Sequence, residues 1–305
     1  MVTKKSSKLK WLWISLLIVF LLVASIGIYL FTVYSSIKST VNETSHEPVE
    51  AIDTEVTKKK LENRESLNVL LLGVDEREGD RGRSDTMIVM TLDASHSRMQ
   101  MVSIPRDSRT EIIGKGVEDK INHAYAFGGS EMSVATVENF LDVDLDYYVR
   151  MNMEGLEQLV DAVGGITVNN ALEFSQDGHT FTKGTNTLDG KQALSYVRMR
   201  KKDPEGDVGR NERQRQVIQG VLESGASLTS VTKIHKLIDI LGENMVTNMQ
   251  FADMQNLMTN YRNVSANTTS YQMTGQGKFI NNIWYLMVPD DELSKTKDMI
   301  TEYGG

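Results

Sequence analysis

The sequence predicts a layered α-β-α domain with a central mixed sheet, placed behind one N-terminal transmembrane helix. Three observations support this prediction: short apolar runs typical of buried strands, amphipathic segments between them, and one long uncharged run near the N-terminus. Strands that alternate with helices are typical of α/β domains. The 305 residues are enough to bury a substantial core.

The uncharged run spans residues 11–34 and begins at Trp11. As a helix it would be about 36 Å long, enough to cross a hydrocarbon core of roughly 30 Å. Four lysines precede it. The positive-inside rule therefore predicts a cytoplasmic tail over residues 1–10, a signal-anchor helix and a single-pass cell-membrane protein with its domain extracellular. A cleaved signal peptide is the alternative, but this run is longer than a usual signal core.

The next segment, residues 35–65, is polar and predicts a stalk with a short helix over residues 57–64. The domain is expected to occupy residues 66–305. Predicted strands are Leu67–Gly73, Thr86–Leu92, Met99–Ile104, Tyr147–Met151, Ile166–Val168, Thr269–Met273 and Ile283–Val288, the last two returning to the sheet. Predicted helices are Glu131–Asp142, Met153–Val163, Asp189–Val197, Asn211–Leu222, Val231–Met245, Phe251–Tyr261 and Asp290–Tyr303.

Composition excludes several classes of function. The chain has no cysteine, which rules out thiol catalysis, disulfides and thiolate metal sites. Its net charge of -8 argues against a nucleic-acid binder with a broad basic face. No nucleophile elbow, phosphate-binding loop or dinucleotide fingerprint occurs. His123 is the most site-like histidine, although a lone histidine is more often structural.

Two acidic residues mark the first polar cluster. Asp75 follows the first predicted strand, and Asp85 stands at the entrance to the second. Ligands of open α/β sheets bind at such strand ends. If the strands are neighbours, the two carboxylates could approach each other and suit Mg²⁺, which prefers oxygen ligands. Alternatively, they cap turns or pair with Arg77 and Arg83.

Arg106 belongs to the second cluster, the sequence SIPRD at the end of the third predicted strand. Proline ends the strand there and fixes the turn, which places Arg106 on the same rim as Asp75. An exposed salt bridge with Asp107 is an equally good interpretation of this residue.

The third cluster, residues 197–216, contains five arginines and two lysines. Cations concentrated in an acidic chain indicate a local anion site, because the arginine fork fits phosphate or carboxylate. Arg198 and Arg200 share a face only in an extended chain, whereas Arg210 and Gln214 share one on a helix. Residues 203–207 between them predict a flexible polar turn. A solvated, charged helix start is the alternative.

These clusters occur in a recognisable order. NVLLLGVD, RSDT, SIPRD, KINHAY, VGGI, LDGKQAL, YVRMR and RNERQ lie between residues 66 and 225, and the chain therefore resembles the LytR–CpsA–Psr family of Gram-positive cell walls. The ordered set is highly specific, whereas the chain after residue 225 is matched more weakly.

The resemblance implies a phosphotransferase outside the membrane. Such enzymes transfer an anionic glycopolymer, such as wall teichoic acid, from an undecaprenyl-pyrophosphate carrier to a muramic acid hydroxyl of peptidoglycan. By position, Asp75 and Asp85 would hold Mg²⁺ and act in catalysis with Arg106. The residues expected to bind the pyrophosphate are Arg77, Arg106, Arg198, Arg200, Arg210 and Gln214.

Other parts of the implied site are less determined. Lys201, Lys202 and Arg215 are expected to be ordinary surface residues. The general base could be Asp75, Asp85 or water. Two further hypotheses stay open: a lipid pyrophosphate phosphatase, which would use water as the acceptor at the same site, and a non-catalytic, membrane-anchored binder or regulator of anionic polymer.

Overall fold

The computed structural model describes residues 31–32, 34–36, 38–76, 81–226, 240 and 244–303. The strands are β1 (Leu67–Val74), β2 (Ser84–Asp93), β3 (Arg98–Ser103), β4 (Arg109–Ile112), β5 (Val117–Lys120), β6 (Tyr147–Asn152), β7 (Ile166–Asn170), β8 (Phe174–Gln176), β9 (His179–Phe181), β10 (Gly184–Leu188), β11 (Met245–Thr247), β12 (Thr268–Gln272), β13 (Gln276–Ile280) and β14 (Ile283–Met287). The α-helices are α1 (Thr54–Asn63), α2 (His123–Leu141), α3 (Met153–Val163), α4 (Gly190–Arg198), α5 (Asp207–Ala226), α6 (Phe251–Asn260) and α7 (Asp290–Tyr303).

A six-stranded mixed sheet lies at the centre, with strand order β11-β6-β1-β2-β3-β12. The pairs β1–β6 and β3–β12 are parallel, and the others are antiparallel. Most residues of β1 and β2 are buried, as their near-continuous apolar sequences predict for strands covered on both faces. The predicted central mixed sheet is confirmed.

Helices cover the sheet on both sides. One hydrophobic core contains Val134 and Val137 of α2 together with Ile300 of α7, packed against β1 and β2. A second core, on the other face, contains Leu61 of α1 and receives partly buried residues of α5 and α6. The arrangement is therefore the three-layer α-β-α sandwich that the sequence predicts.

A smaller unit is formed by the part of the chain between the start of α3 and the end of α5. The antiparallel pair β7–β10 and the short hairpin β8–β9 pack with α3, α4 and α5 around a third core that contains Phe174, Phe181 and Tyr196. Helix α4 begins at a capping box, in which the Asp189 side chain accepts from the Gln192 N–H while the Gln192 side chain accepts from the Asp189 N–H. This unit positions the end of α4 and the start of α5.

Most of the predicted elements occur, with some corrections. The helix predicted to start at Glu131 begins at His123 and is interrupted by non-helical backbone at Gly128 and Gly129. The strand predicted at Ile283–Val288 does not return to the central sheet, because β14 pairs with β13 in a separate hairpin. Most of the helix predicted at Val231–Met245 lies outside the described residues, and Met245 itself starts β11.

The segment predicted to be a stalk packs onto the domain over much of its length. Val41, Val49, Ile52 and Leu61 are buried, and three of them belong to the two large cores. This part of residues 35–65 is therefore not a detached linker. The predicted membrane helix at residues 11–34 falls almost entirely outside the described residues, and no helix among those described is long and apolar enough to cross a membrane.

Candidate active site

The two predicted metal ligands lie at the adjoining ends of two neighbouring strands, β1 and β2. The Asp75 N–H donates to the carbonyl oxygen of Arg83 over 3.2 Å, which joins the ends of β1 and β2. The pairing shifts beside Gly73, which faces Thr86 while Val74 faces Ser84. Asp85 is therefore the extra residue of a β-bulge, a feature that re-aims a side chain at sheet edges. Its side chain is partly exposed at this rim.

Arg106 contacts Asp85 directly. Its Nη1 donates to Asp85 Oδ1 over 2.7 Å. Burial lowers the pKa of Arg106, but the carboxylates of Asp85, Asp207 and Asp107 outweigh burial and raise it overall. Arg106 thus lies beside Asp85, and its salt bridge with Asp107 is the weaker contact, with 3.8 Å between Nε and Oδ2.

The centre of the arginine cluster is a carboxylate, that of Asp207. Its Oδ1 lies 3.1 Å from Arg200 Nε and 2.9 Å from Arg210 Nη2, while its Oδ2 lies 4.0 Å from Arg106 Nε. Three arginines from separate segments thus converge on one acidic side chain. We call Arg106, Arg200, Arg210 and Asp207 the arginine clamp.

Several nitrogens of the clamp have no hydrogen-bond partner among the described residues. They are Arg106 Nε and Arg210 Nε and Nη2, all buried, and Asp207 Oδ1 is in the same state. The 2.9 Å contact between Arg210 and Asp207 is an ion pair by distance, but its angles do not make a hydrogen bond. Buried polar groups in native proteins are almost always satisfied. The unmet donors therefore point to an anionic ligand with several oxygens.

The repulsion between the three clamp arginines also favours a bound anion. Burial lowers the pKa of Arg210, and the positive charges of Arg106 and Arg200 lower it further, while Asp207 and Asp85 oppose them. The Arg210 side chain is only 8% exposed. Since arginine stays protonated in proteins, a buried arginine beside two others is a cost that an anion would relieve.

Arg213 holds the loop between α4 and α5, which carries Arg200 of the clamp. Its Nε donates to the Tyr196 carbonyl oxygen over 3.1 Å, its Nη2 to the Met199 carbonyl oxygen over 2.6 Å and its Nη1 to Asp203 Oδ2 over 2.6 Å. The side chains of Arg213 and Asp203 are each 6% exposed. The predicted polar turn occurs at residues 203–206, where the Gly206 N–H donates to the Asp203 carbonyl oxygen. It differs from the prediction at both ends, because Arg213 anchors Asp203 and Asp207 belongs to α5.

Arg215 is also not the surface residue that was expected. It is 6% exposed, and its Nη1 donates to Ser103 Oγ over 2.5 Å and to Gln272 Oε1 over 3.1 Å. These contacts tie α5 to the ends of β3 and β12. Its role is to position the helix against the sheet, because its donors are already used within the protein.

The remaining predicted residues are distributed as follows. Arg198 is exposed at the C-terminal end of α4, and buried Met199 separates it from exposed Arg200. Gln214 is 8% exposed, one turn after Arg210 on α5. Arg77 lies outside the described residues. His123 lies away from the clamp's contacts, with its Nδ1 2.7 Å from Asp119 Oδ2.

The acidic rim suits magnesium by its chemistry. Among the described residues, no group of three or more histidine or acidic side chains forms a complete protein cage for a metal. Mg²⁺ does not need one, since it is usually bound by one or two carboxylates together with waters and substrate phosphates. Asp75, directly after β1, and Asp85, on the neighbouring strand β2, fit that pattern.

Asp207 is the functional residue that sequence reasoning missed. A signal was present: an acidic residue three positions before Arg210 within a basic stretch faces the same side of a helix. It was assigned to a loop because Asp203, Pro204 and Gly206 suggested a turn. Helix α5 starts at Asp207, four residues before the predicted start at Asn211.

Comparison with known proteins now decides the family. The LytR_cpsA_psr family model matches residues 27–302, nearly the whole chain. This chain belongs to the LytR–CpsA–Psr family. The family resemblance noted for residues 66–225 therefore extends to residue 302.

Relatives within the LytR–CpsA–Psr family have names that state their activity. The polyisoprenyl-teichoic acid–peptidoglycan teichoic acid transferase TagU of Bacillus anthracis is 50% identical over 266 residues, which cover 87% of this chain and 88% of the relative. The crystal structure of B. subtilis TagU is 44% identical, with a TM-score of 0.65, and covers 79% of this chain and 97% of that one. A structure of TagT bound to LIIa-WTA is 29% identical, with a TM-score of 0.68, and covers 86% and 97%.

Proposed function

We propose that this protein is a glycopolymer–peptidoglycan phosphotransferase. It moves an anionic polymer, wall teichoic acid, from an undecaprenyl-pyrophosphate carrier to a muramic acid hydroxyl of peptidoglycan. The activity stated in the TagU relatives' name supports this assignment. TagT in its complex with LIIa-WTA has the same fold.

One observation in the molecule carries the proposal. Arg106 Nε and Arg210 Nε and Nη2 are buried beside Asp207 without hydrogen-bond partners among the described residues. A pyrophosphate has the charge and the number of oxygens to satisfy these donors together with Arg200. Arginine is also the side chain best shaped to bind phosphate oxygens in pairs.

The reaction needs charge stabilisation more than covalent help. The acceptor hydroxyl attacks the phosphorus that carries the polymer, the bond from this phosphorus to the bridging oxygen breaks, and lipid phosphate leaves while the hydroxyl proton is released. Negative charge spreads over the phosphoryl oxygens during this step. The clamp arginines are held in place before the substrate arrives, so they can stabilise that charge without reorganising.

A magnesium ion is part of the proposal. Asp75 and Asp85 would hold it at the rim, next to Arg106, where it would neutralise phosphate oxygens of the bound carrier. We expect chelation by EDTA to abolish transfer and added Mg²⁺ to restore it. Asp75→Asn and Asp85→Asn should each raise the Mg²⁺ concentration needed for half-maximal rate by tenfold or more; an unchanged Mg²⁺ dependence in both variants would refute this assignment.

We propose a location at the outer face of the cell membrane, based on the sequence of residues 11–34. Residues 11–34 would anchor the protein in the cell membrane with its N-terminus in the cytoplasm, and the catalytic domain would lie outside. A carrier embedded in the same membrane would then reach the clamp by diffusion in two dimensions. A cysteine introduced at exposed Met258 should react with a membrane-impermeant thiol reagent on intact cells, because the chain has no other cysteine.

A reconstituted assay tests the function. Purified full chain is mixed with lipid-linked polymer, Mg²⁺ and uncross-linked peptidoglycan strands. Polymer covalently attached to glycan is the expected product. Free phosphorylated polymer would instead identify a lipid pyrophosphate phosphatase, and neither product would identify a binder. Arg106→Ala should stop the reaction, while Arg262→Ala, a change at an exposed arginine outside the clamp, should leave it unchanged.

A further inference from the structure

The hairpin β13–β14 exposes two aromatic side chains to solvent. Phe279 is 72% exposed and Trp284 is 38% exposed, and they are direct cross-strand partners. Successive side chains of a strand point to opposite faces, so Tyr285 points the other way, and it is buried at 7%. One face of the hairpin therefore packs on the domain, and the other presents an aromatic pair.

The Trp284 indole packs against the backbone of β13. A Cβ atom added at Gly277 would lie 2.8 Å from Trp284 Nε1, so the ring rests against the backbone of β13 at a position without a side chain. Asn281 and Asn282, both with positive φ, form the two-residue turn at the tip. One ring face is thus covered by backbone. We call Phe279, Trp284, Asn281 and Asn282 the aromatic hairpin face.

This face is attached to the loop that carries Arg106. The Leu286 N–H donates to the Asp107 carbonyl oxygen over 2.9 Å, and Leu286 forms a parallel bridge with Ser108. The hairpin is therefore anchored at Asp107 and Ser108, the two residues that directly follow Arg106 in the chain.

We propose that the aromatic hairpin face binds a sugar ring of the glycan acceptor. This inference rests on the proposed function, which requires a second substrate besides the charged carrier. The arginine clamp suits an anion and has no feature that would recognise a neutral sugar. Sugars have apolar C–H faces that stack on an aromatic ring, and hydroxyls that exchange hydrogen bonds with amides.

Two other occupants fit this face less well. Insertion into a membrane would bury the tip first, and the tip consists of two asparagine amides that lose water at a cost. A stable protein interface buries about 800 Å² on each partner, more than these four side chains present. A glycan strand needs only a narrow platform next to the reaction centre.

Binding can be measured without turnover. The three tryptophans are Trp11, Trp13 and Trp284, so Trp11→Phe/Trp13→Phe leaves Trp284 as a single fluorescent reporter. Titrating the full chain in detergent micelles with uncross-linked peptidoglycan strands should give a saturable change in its emission. Phe279→Ala should raise the dissociation constant several-fold. Met258→Ala, a change at a 71% exposed side chain on α6, is the matched control and should have no effect.

Turnover provides the second readout. Trp284→Ala should raise KM for the glycan strands about tenfold, the effect of losing one aromatic contact, while kcat and KM for the lipid-linked donor stay unchanged. Trp284→Phe should keep most of the affinity, which separates stacking from a folding defect.

The outcomes separate this inference from the proposed function. An unchanged acceptor KM in Trp284→Ala, or no fluorescence response to glycan strands, overturns the aromatic hairpin face as an acceptor site even if transfer proceeds. A blue shift of Trp284 with phosphatidylglycerol vesicles, and none with glycan strands, would assign it to the membrane. Absence of transfer together with saturable glycan binding would refute the proposed function and support this site.

Discussion

The buried ion pair of Arg213 and Asp203 makes the sharpest test of how the clamp is held. Arg213→Ala removes a guanidinium that makes three hydrogen bonds, to Asp203 and to the carbonyl oxygens of Tyr196 and Met199. Both charged side chains are 6% exposed, so the carboxylate left behind cannot be hydrated without movement of the chain.

The expected cost follows from this burial. Removing one partner of a buried ion pair costs about 3–5 kcal/mol, because it leaves an uncompensated charge. That is a large part of the roughly 5–15 kcal/mol by which a typical domain is stable. At ~2–4 °C per kcal/mol for a domain of this size class, the midpoint of thermal unfolding should fall by roughly 6–20 °C.

Urea unfolding of the full chain, followed by far-ultraviolet circular dichroism, measures the effect. Lys297→Ala is the control, since Lys297 pairs with Asp142 on the surface and such a pair contributes ~0–1 kcal/mol. Asp203→Asn combined with Arg213→Ala should cost less than the sum of the two single changes, because it removes the stranded charge. A loss below about 1 kcal/mol in Arg213→Ala, or strict additivity, would show that the pair does not hold the loop.

Three further predictions test other parts of the molecule. Arg198→Ala, at an exposed side chain, should lower kcat/KM for transfer at least tenfold without changing the urea midpoint, whereas Arg262→Ala should change neither; full activity of Arg198→Ala would remove this residue from the site. Gly209→Ala should destabilise the protein by more than about 2 kcal/mol, because the added Cβ would lie 2.0 Å from Oδ2 of the buried Asp203. The control on the same helix is Gly225→Ala, which has no described atom within 4 Å of its Cβ and should stabilise the protein by roughly 0.5–1 kcal/mol. Burial, with help from neighbouring carboxylates, raises the pKa of Glu138 from 4.5 to about 7, so the folded state holds this proton more tightly and stability should fall as pH rises from about 4.5 through 7. Glu138→Gln should remove that part of the decline in urea midpoints, and parallel pH profiles of the two proteins would contradict it.

Local pattern was sufficient for most of the fold. Apolar runs located five of the six strands of the central sheet, and helical periodicity located α3, α4, α6 and α7 within a few residues. It was insufficient where a distant partner decides the outcome. Met245 lies in a strand because it pairs with Met151, and β14 leaves the main sheet because β13 is its partner. Neither pairing can be recognised from the spacing of apolar residues in the strand itself.

The same division applies to the candidate site. Residue types and motif order determined by themselves which family the chain resembles and which cations could bind a phosphate. Only the tertiary structure decided which arginines are free to do so. Arg213 and Arg215 have the same chemistry as Arg210, but their donors are used by Asp203, Ser103 and backbone carbonyls.

Asp207 shows the physical reason for this difference. Its sequence neighbours indicate a turn, yet the end of β3, the loop after α4 and the start of α5 each bring an arginine to it. Charges interact through space and not along the chain, so a site assembled from three segments exists only after they pack. The sequence indicated that the ligand is an anion, and the packing decided which side chains are available to hold it.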